Sequence, residues 1–296
     1  MYVTLIAVAA LWGAATGLLV PRAAYRLSVE PEEAWRSDCP EGHALLGAAR
    51  GWLGGTRCQV CAVAVPVPAA APAPRFATAE VAAGKAASAA DVPADEGVTD
   101  AESEDAAPVA PPRVPLRTTP AIPLVTAAAC AALAAATGLR PELAVWLLCA
   151  PFAVLLATVD LRVHRLPDQL TLPLAVAAPL LLGAAALAPG AAGSFPYALI
   201  GGLVLGAAYF LLFVINPNGM GFGDVKLALS LGVLLGWYGW GILFAGAFAG
   251  FLFGGAYGLG LVLLRKANRK SAIPFGPFMI AGALLGVVFG ALAATP

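Results

Sequence analysis

Apolar runs of membrane-spanning length are the feature that most constrains how this chain can fold. One run covers residues 2–20, and seven more fill the second half, at about 120–139, 142–160, 169–189, 195–215, 225–237, 238–264 and 274–294. A helix needs about 20 consecutive apolar residues to cross the hydrocarbon core of a bilayer. Hydrophobic residues make up 60% of the chain and charged residues 11%. The sequence therefore predicts an all-α, polytopic integral membrane protein with about eight transmembrane helices and a small cytoplasmic N-terminal insertion.

The basic residues predict which helix ends face the cytoplasm. When the chain is threaded through alternate sides of the membrane, nearly all of them fall on one side: Arg22 to Arg117, Arg162, Arg165, Lys226, Arg265, Lys266, Arg269 and Lys270. Only Arg140 falls on the other side. Cytoplasmic loops carry the excess of Lys and Arg, so we expect a multi-pass protein of the cell (cytoplasmic) membrane. The net charge of +0 gives no case for a nucleic-acid partner.

The first apolar run, residues 1–20, is predicted to stay in the protein as a transmembrane helix. A cleaved signal peptide would carry positive charge ahead of the run, and Met1 and Tyr2 carry none. Residues 62–118 are rich in Ala and Pro, with acidic residues between 91 and 105. Such a composition has too few core-forming side chains to offset the entropy of ordering. We interpret this stretch as a disordered cytoplasmic linker that precedes a membrane domain at 119–296.

A polar cytoplasmic segment at residues 21–61 carries four candidate metal ligands. Cys58 and Cys61 form a CxxC pair, and Cys39 and His43 are spaced as a second pair. Thiolate and imidazole ligands suit Zn²⁺, and four of them would complete a structural site. Two other interpretations stay open: a redox-active CxxC, although no βαβ pattern surrounds it, and unliganded cysteines.

Carboxylates are rare in the second half of the chain. From residue 119 onward the acidic residues are Glu142, Asp160, Asp168 and Asp224. Glu142 is interpreted as part of a short turn. Asp160 ends one predicted helix and Asp224 begins another at the same face of the membrane, and a carboxylate at such a depth is costly unless it is used.

Two aspartates on different helices at one membrane depth can form a catalytic pair. Like charges a few ångströms apart cannot both ionise readily, so the pair shares one proton. It can then activate a water and protonate a leaving amine, as peptide hydrolysis requires. The glycines at 219, 221 and 223, just before Asp224, leave room for the backbone of an extended peptide. The plain alternative is a glycine-rich loop between two membrane helices with an incidental Asp.

Three blocks of sequence resemble the type 4 prepilin peptidases, bacterial leader peptidases of the GxGD aspartyl protease group. Asp160 is followed by the block Leu166-Pro167-Asp168-Gln169-Leu170-Thr171-Leu172-Pro173. The next block is Gly221-Phe222-Gly223-Asp224-Val225-Lys226-Leu227, and the last is Ile273-Pro274-Phe275-Gly276-Pro277-Phe278. They stand in the family's order, and the similarity covers roughly 119–296 well and 1–61 loosely. The resemblance implies an endopeptidase that removes the leader of type IV prepilins or pseudopilins at the cytoplasmic membrane face.

The resemblance also implies roles for particular residues. The family's catalytic aspartates correspond to Asp160 and Asp224, as general base and acid around a water. Asp168 matches a loop-forming element, and we expect it to be the N-cap of the fourth helix. Substrate contacts are expected at Gly221, Gly223, Lys226, Pro274 and Gly276, although the last two also fit a plain helix-start turn. Proteolysis needs no cofactor. His164, beside Asp160, is expected to be solvated rather than catalytic.

The N-terminal part departs from the family pattern. The family usually carries two CxxC pairs, and here the first is reduced to Cys39 and His43, while a characteristic stretch after the second pair is absent. Many members methylate the new N-terminus with S-adenosylmethionine, an activity associated with this part. We therefore expect methyl transfer to be weak or absent, and S-adenosylmethionine to matter only if it is retained.

Two other classes of function fit an aspartate pair in a membrane protein. One is an ion- or proton-coupled transporter that uses the pair as a relay, although transporters place such residues near the bilayer midplane and often show inverted repeats. The other is a catalytically silent scaffold for a pilus or secretion machine.

Overall fold

A computed structural model describes residues 2–30, 33–54, 58, 60–61, 120–217, 219–264 and 273–294. The predicted linker and the basic residues at 265–270 lie outside these ranges. The described part contains helices and no strand, with two isolated bridges, Asp38 with Ala44 and Ala48 with Leu53. The helices of eight or more residues are α1 (Tyr2–Gly17), α2 (Val20–Leu27), α3 (Ala121–Thr137), α4 (Glu142–Val163), α5 (Asp168–Ala186), α6 (Phe195–Ile215), α7 (Phe222–Gly236), α8 (Trp240–Leu263) and α9 (Gly276–Ala293).

All eight predicted apolar runs are helical, which confirms an all-α, multi-pass membrane protein. Within the described ranges, six helical stretches are long and apolar enough to cross a membrane: Tyr2–Leu27, formed by α1 and α2, together with α4, α5, α6, α8 and α9. Helices α3 and α7 are shorter, with 17 and 15 residues. At 1.5 Å per residue, the length of α7 is about 22 Å, less than the thickness of a hydrocarbon core.

The first helix continues beyond its predicted end. It breaks at Leu18 and Leu19 and resumes as α2, which carries Arg22 and Arg26 inside the helix. The sequence instead assigns these two arginines to the polar segment that begins at residue 21. Helix α2 packs against α4, with Val20, Ala24 and Leu27 lying on Leu155 and Val159. The polar segment that follows α2 is thereby attached to the membrane helix that carries Asp160.

Helix α7 lies at the centre of the bundle. It contacts α5, α6, α8 and α9, and every residue from 230 to 236 is buried. Its approach to α6 is backbone to backbone: a Cβ added to Gly201 of α6 would lie 2.7 Å from the carbonyl oxygen of Gly232. Small residues allow such close contact between membrane helices. This packing holds the helix that carries Asp224 in its first turn in a fixed register against its neighbours.

Candidate active site and metal centre

Asp160 lies near the end of α4 and faces the interior of the bundle. Its side chain is 4% exposed, and its Oδ2 accepts a hydrogen bond of 2.9 Å from the backbone N–H of Gly276 at the start of α9. The helix ends three residues later, where His164 adopts a left-handed conformation with φ of 52° and donates its N–H to the Asp160 carbonyl. The imidazole of His164 is exposed, which fits the expectation that it is solvated.

Asp224 lies in the first turn of α7, where the helix dipole favours a negative charge. Its side chain is 8% exposed, and it is close enough to Asp160 for the two carboxyl groups to interact electrostatically. The structure thus brings the two predicted catalytic residues together at one end of the bundle. Among the described side chains, neither carboxylate forms an ion pair. Two buried carboxyl groups without a cation are the arrangement in which a single proton is shared.

Leu166, in the first of the three sequence blocks, packs against Gly223 of the second block and Gly276 of the third. Its side chain is buried at 8% exposure, and a Cβ added to Gly223 would lie 2.9 Å from Leu166 Cβ. A Cβ added to Gly276 would lie 2.8 Å from Asp160 Oδ2 and 3.5 Å from Leu166 Cδ2. Both glycines are therefore required by the packing of the site itself.

Gly221 differs from the other two glycines of the site. The nearest described atom to an added Cβ is Asp224 Oδ2 at 3.7 Å, an ordinary contact. Its φ of −74° is accessible to any residue. The described part of the protein therefore has room for a side chain at this position, directly beside the Asp224 carboxylate.

Lys226 and Asp168 form an ion pair at the edge of the site. Lys226 Nζ lies 2.6 Å from Asp168 Oδ1 and 4.9 Å from the centroid of the Phe222 ring. The expectation that Asp168 is an N-cap is wrong by one residue, because Pro167 is the N-cap of α5 and Asp168 is the first residue of the helix. No side chain forms a capping hydrogen bond at this helix start. Asp168 links the start of α5 to α7. Pro274 is half-buried, two residues before Gly276.

Tyr209 of α6 also lies at the site and was not predicted from the sequence. This tyrosine is 2% exposed and close enough to Asp224 for a charge interaction. Its ring stacks on Phe251, and Phe275, next to Gly276, lies 6.3 Å away. The available signal was a hydroxyl-bearing residue well inside an otherwise apolar helix.

The four predicted metal ligands come together in the N-terminal segment. The ligand atoms of Cys39, His43, Cys58 and Cys61 all lie within 4.8 Å of one another. His43 Nδ1 is 3.6 Å from Cys39 Sγ and 3.2 Å from Cys61 Sγ, and the Sγ atoms of Cys39 and Cys61 are 3.8 Å apart. Zinc bonds of about 2.3 Å to sulfur and about 2.0 Å to nitrogen set tetrahedral ligand atoms about 3.5–3.8 Å apart. This Cys/His cluster could therefore bind a metal ion.

The two thiols of the CxxC pair have different acidities. Desolvation raises the pKa of the Cys61 thiol to about 12, whereas the backbone N–H of Cys61 lowers the pKa of the Cys58 thiol. A coordinated divalent cation deprotonates its thiol ligands. The donor set is therefore suited to a cation that would stabilise both thiolates.

Helix α2 holds the segment that contains the cluster. Arg22 is 3% exposed and donates to the carbonyls of Gly51 and Leu46, each at 2.7 Å. Arg26 donates to the carbonyl of Arg50 at 2.9 Å and lies 4.4 Å from the Trp52 ring centroid. Sequence analysis used these arginines only as indicators of topology. Their spacing of four residues, which places them on one helix face, was the signal for a shared role.

Comparisons with known proteins agree with the geometry of the membrane site. Residues 147–259 match the model of the type IV leader peptidase family. A prepilin leader peptidase/N-methyltransferase of Aeromonas salmonicida is 36% identical over 141 residues, 46% of each chain. A protein of the same name from Pseudomonas aeruginosa is 34% identical over 140 residues, again 46% of each chain. The resemblance to the type 4 prepilin peptidases is thereby confirmed.

The similarity is limited in extent. The chain spans about half the length of the curated relatives that it matches, 46% for the Aeromonas salmonicida protein and 47% for one from Burkholderia pseudomallei. No solved structure matches the chain.

Proposed function

We propose that this chain, a relative of the type 4 prepilin peptidases, is an aspartic endopeptidase that removes the leader from type IV prepilins or pseudopilins. The observation that carries the proposal is the meeting of Asp160 and Asp224, both buried and without an ion-pair partner among the described residues. The relatives are named as prepilin leader peptidases, and the matched residues 147–259 include both aspartates.

The chemistry follows from two carboxyl groups that share one proton. The ionised carboxylate accepts a proton from a water as that water attacks the peptide carbonyl. The protonated carboxyl donates its proton to the amine that leaves. The pair as a whole neither gains nor loses a proton in the reaction. The Gly276 N–H keeps Asp160 in place, so little reorganisation accompanies the transfer.

The three glycines of the site have different proposed roles, two in packing and one in binding the substrate. Gly223 and Gly276 are used by the packing around Leu166 and Asp160. Gly221 has open space next to Asp224, and we assign to it the closest approach of the substrate backbone. Lys226 and Pro274 lie at the edge of the same site and would contact the chain on either side of the scissile bond.

The active site faces the cytoplasm in this proposal. The charge pattern supports this orientation, because the Asp160 end of the bundle is the end that carries most of the basic loops. Cysteines introduced at Gly190 or Pro296 should react with a membrane-impermeant reagent in intact cells. Cysteines in residues 62–118 should react only after permeabilisation, and labelling of the linker in intact cells would contradict the orientation.

The metal in the N-terminal cluster is proposed to be zinc, in a structural role. Three thiols and an imidazole whose ligand atoms lie within 4.8 Å of one another suit Zn²⁺, and they lie in the N-terminal segment, away from the sequence that carries the aspartate pair. The relatives' name includes an N-methyltransferase. Because this segment lacks the first CxxC pair, we propose that methyl transfer with S-adenosylmethionine is weak or absent here.

Transport and a silent scaffold are the alternative functions, and neither is supported. The similar proteins are named as peptidases, and both aspartates sit near helix ends at the same end of the bundle.

Co-expression with a type IV prepilin tests the proposed function. We expect mass spectrometry of the pilin to show loss of a leader-sized mass with the wild-type chain and none with Asp224→Asn. The same spectrum reports methylation as the added mass of one methyl group. Unprocessed prepilin in the presence of well-expressed wild-type protein would refute the peptidase assignment.

A further inference from the structure

An apolar groove runs along the outside of the bundle between α3, α4 and α9, with two leucines of α7 contributing to its lining. It encloses about 340 Å³, and no charged residue is among the described residues that line it. Val125 and Leu161, at its rim, are 56% and 59% exposed. The groove is therefore open to the surroundings of the bundle, which for these helices is the hydrocarbon of the membrane.

The groove leads to the aspartate pair. On α4 its lining residues recur every three or four positions in line with Asp160, at Trp146, Ala150, Ala153 and Ala157. Residues at this spacing share one face of a helix. On α9 the lining begins with Pro277, directly after the Gly276 whose N–H binds Asp160. On α7, Leu231 lies in the groove seven residues, or two turns, after Asp224.

Alanines make up a third of the residues that line the groove. Its alanines come from three helices: Ala121, Ala129, Ala150, Ala153, Ala157, Ala281 and Ala283. Small residues let a neighbouring helix approach closely and gain van der Waals contact, the main source of helix association in a membrane. The lining thus resembles a helix-packing face that lacks its partner.

We propose that this groove binds the apolar helix of the substrate and presents the adjoining peptide bond to Asp160 and Asp224. A peptide chain that extends from the site along this groove enters the hydrocarbon, where its backbone polar groups must be satisfied within the segment, so it must be helical. The absence of charge from the described lining requires that helix to be apolar. The proposal rests on the proposed peptidase function, and it adds where the substrate's membrane segment lies.

Filling the groove tests this assignment. Ala153→Leu and Ala281→Leu place larger side chains on two walls, at positions that are half-buried and exposed. Ala144→Leu is the matched control, because Ala144 is an exposed residue of the same helix α4 outside the groove lining. Each purified variant is given two substrates: a full-length prepilin in micelles, and a peptide that spans the cleavage site but lacks the apolar helix.

We expect the two groove variants to raise KM for the full-length prepilin about tenfold, the loss that roughly one displaced apolar side chain would cause. Cleavage of the short peptide should be unchanged, and Ala144→Leu should resemble the wild type with both substrates. The proposal would be overturned if Ala153→Leu and Ala281→Leu, each tested alone, both cleaved full-length prepilin with the KM of the wild type. Equal slowing of both substrates would also overturn it, since the substitutions would then act on the aspartate pair.

Two further outcomes separate this inference from its premise and from a lipid occupant. If the wild type cleaves neither substrate, the peptidase function itself fails. If the groove variants lose a co-purified lipid in native mass spectrometry while prepilin cleavage is unchanged, the groove is a lipid site and the proposal is wrong. Crosslinking supports it if a photoreactive residue at 153, in an Asp224→Asn background, captures the helix of the prepilin and the same residue at 144 does not.

Discussion

Each end of helix α4 carries a buried carboxylate, and the two carboxylates have different neighbours. Glu142 at the first residue is 0% exposed, and its Oε1 lies 3.8 Å from Arg140 Nε and 3.4 Å from the backbone N–H of Ala192. Asp160 at the other end is 4% exposed and accepts a hydrogen bond from the Gly276 N–H, but among the described residues it forms no ion pair. The two buried acidic residues of α4 therefore differ in that Glu142 has an ion-pair partner and Asp160, among the described residues, has none.

This comparison corrects the interpretation of Glu142 as an incidental turn residue. It also explains why Arg140 is the one basic residue predicted on the outer side. Arg140 donates to the carbonyls of Thr137 at 2.6 Å and Ala136 at 3.0 Å, at the end of α3, and to that of Ala291 at 2.7 Å in the last turn of α9. A guanidinium placed near helix C-termini interacts favourably with their dipoles. The Glu142 end of α4 is thus a structural junction with α3 and α9.

The largest effect is expected from removing the carboxylates of the proposed catalytic pair. Asp160→Asn and Asp224→Asn should each lower kcat for prepilin cleavage by about 10³-fold or more, and the double variant should be no worse than either single one, because the two residues act as a unit. Glu142→Gln, the matched change at the other end of α4, should retain cleavage, and Asp168→Ala should retain substantial activity. Near-wild-type cleavage by Asp224→Asn would refute the aspartyl mechanism.

A smaller loss is expected from a methyl group placed against Asp160. In Gly276→Ala the new Cβ would lie 2.8 Å from Asp160 Oδ2, so the carboxylate must move, and displacement of about 1 Å can cost about 10²-fold in rate. Gly221→Ala meets no described atom closer than 3.7 Å. Its Tm should therefore equal that of the wild type while its cleavage of prepilin falls, because the substrate backbone loses room.

Kinetics and thermal unfolding of both glycine variants check this pair of expectations. Full activity in Gly276→Ala would show that the contact between α9 and Asp160 does not position the carboxylate. Full activity in Gly221→Ala would remove this glycine from the substrate path.

The metal cluster offers a test in the N-terminal segment, outside α4. The purified protein should contain about one zinc per chain, because four ligands complete a tetrahedral site. Cys58→Ser should lose the metal and make residues 33–54 more susceptible to limited proteolysis, since metal binding and folding are coupled in small sites. Cleavage of prepilin should persist. Elemental analysis without zinc in the wild type would reduce the four residues to an unliganded cluster.

The smallest effect on catalysis is expected at the junction formed by Arg140 and Glu142. Arg140→Ala leaves the Glu142 carboxylate buried without its cation, which costs about 1–3 kcal/mol or more for a charged group. The Tm should fall, while kcat for prepilin should stay close to wild type because the aspartate pair is at the other end of α4. Arg140→Lys, which keeps the charge, should recover part of the Tm. A loss of activity without a change in Tm would mean that the two ends of α4 are coupled.

The sequence alone was enough to predict the helices and the chemistry. Hydrophobic runs of about 20 residues, the asymmetry of Lys and Arg, and the positions of Asp160 and Asp224 are local patterns, so each can be read without knowing what packs against what. The ligand set Cys39, His43, Cys58 and Cys61 was predictable for the same reason, because metal ligands are few in type and stand at characteristic spacings.

The tertiary structure decided which buried charged side chains have an ion-pair or hydrogen-bond partner, and which glycines are needed because another residue packs against them. The Gly276 N–H reaches Asp160 across 116 positions of sequence, Leu166 packs under both Gly223 and Gly276, and Arg22 is buried among carbonyls of a later segment. These contacts depend on which faces of distant helices meet, and hydropathy does not encode that because in a membrane every face is apolar. Glu142 and Asp160 each have an arginine two positions away in the sequence, Arg140 and Arg162. Only the tertiary structure decides that Glu142 forms an ion pair and that Asp160, among the described residues, forms none.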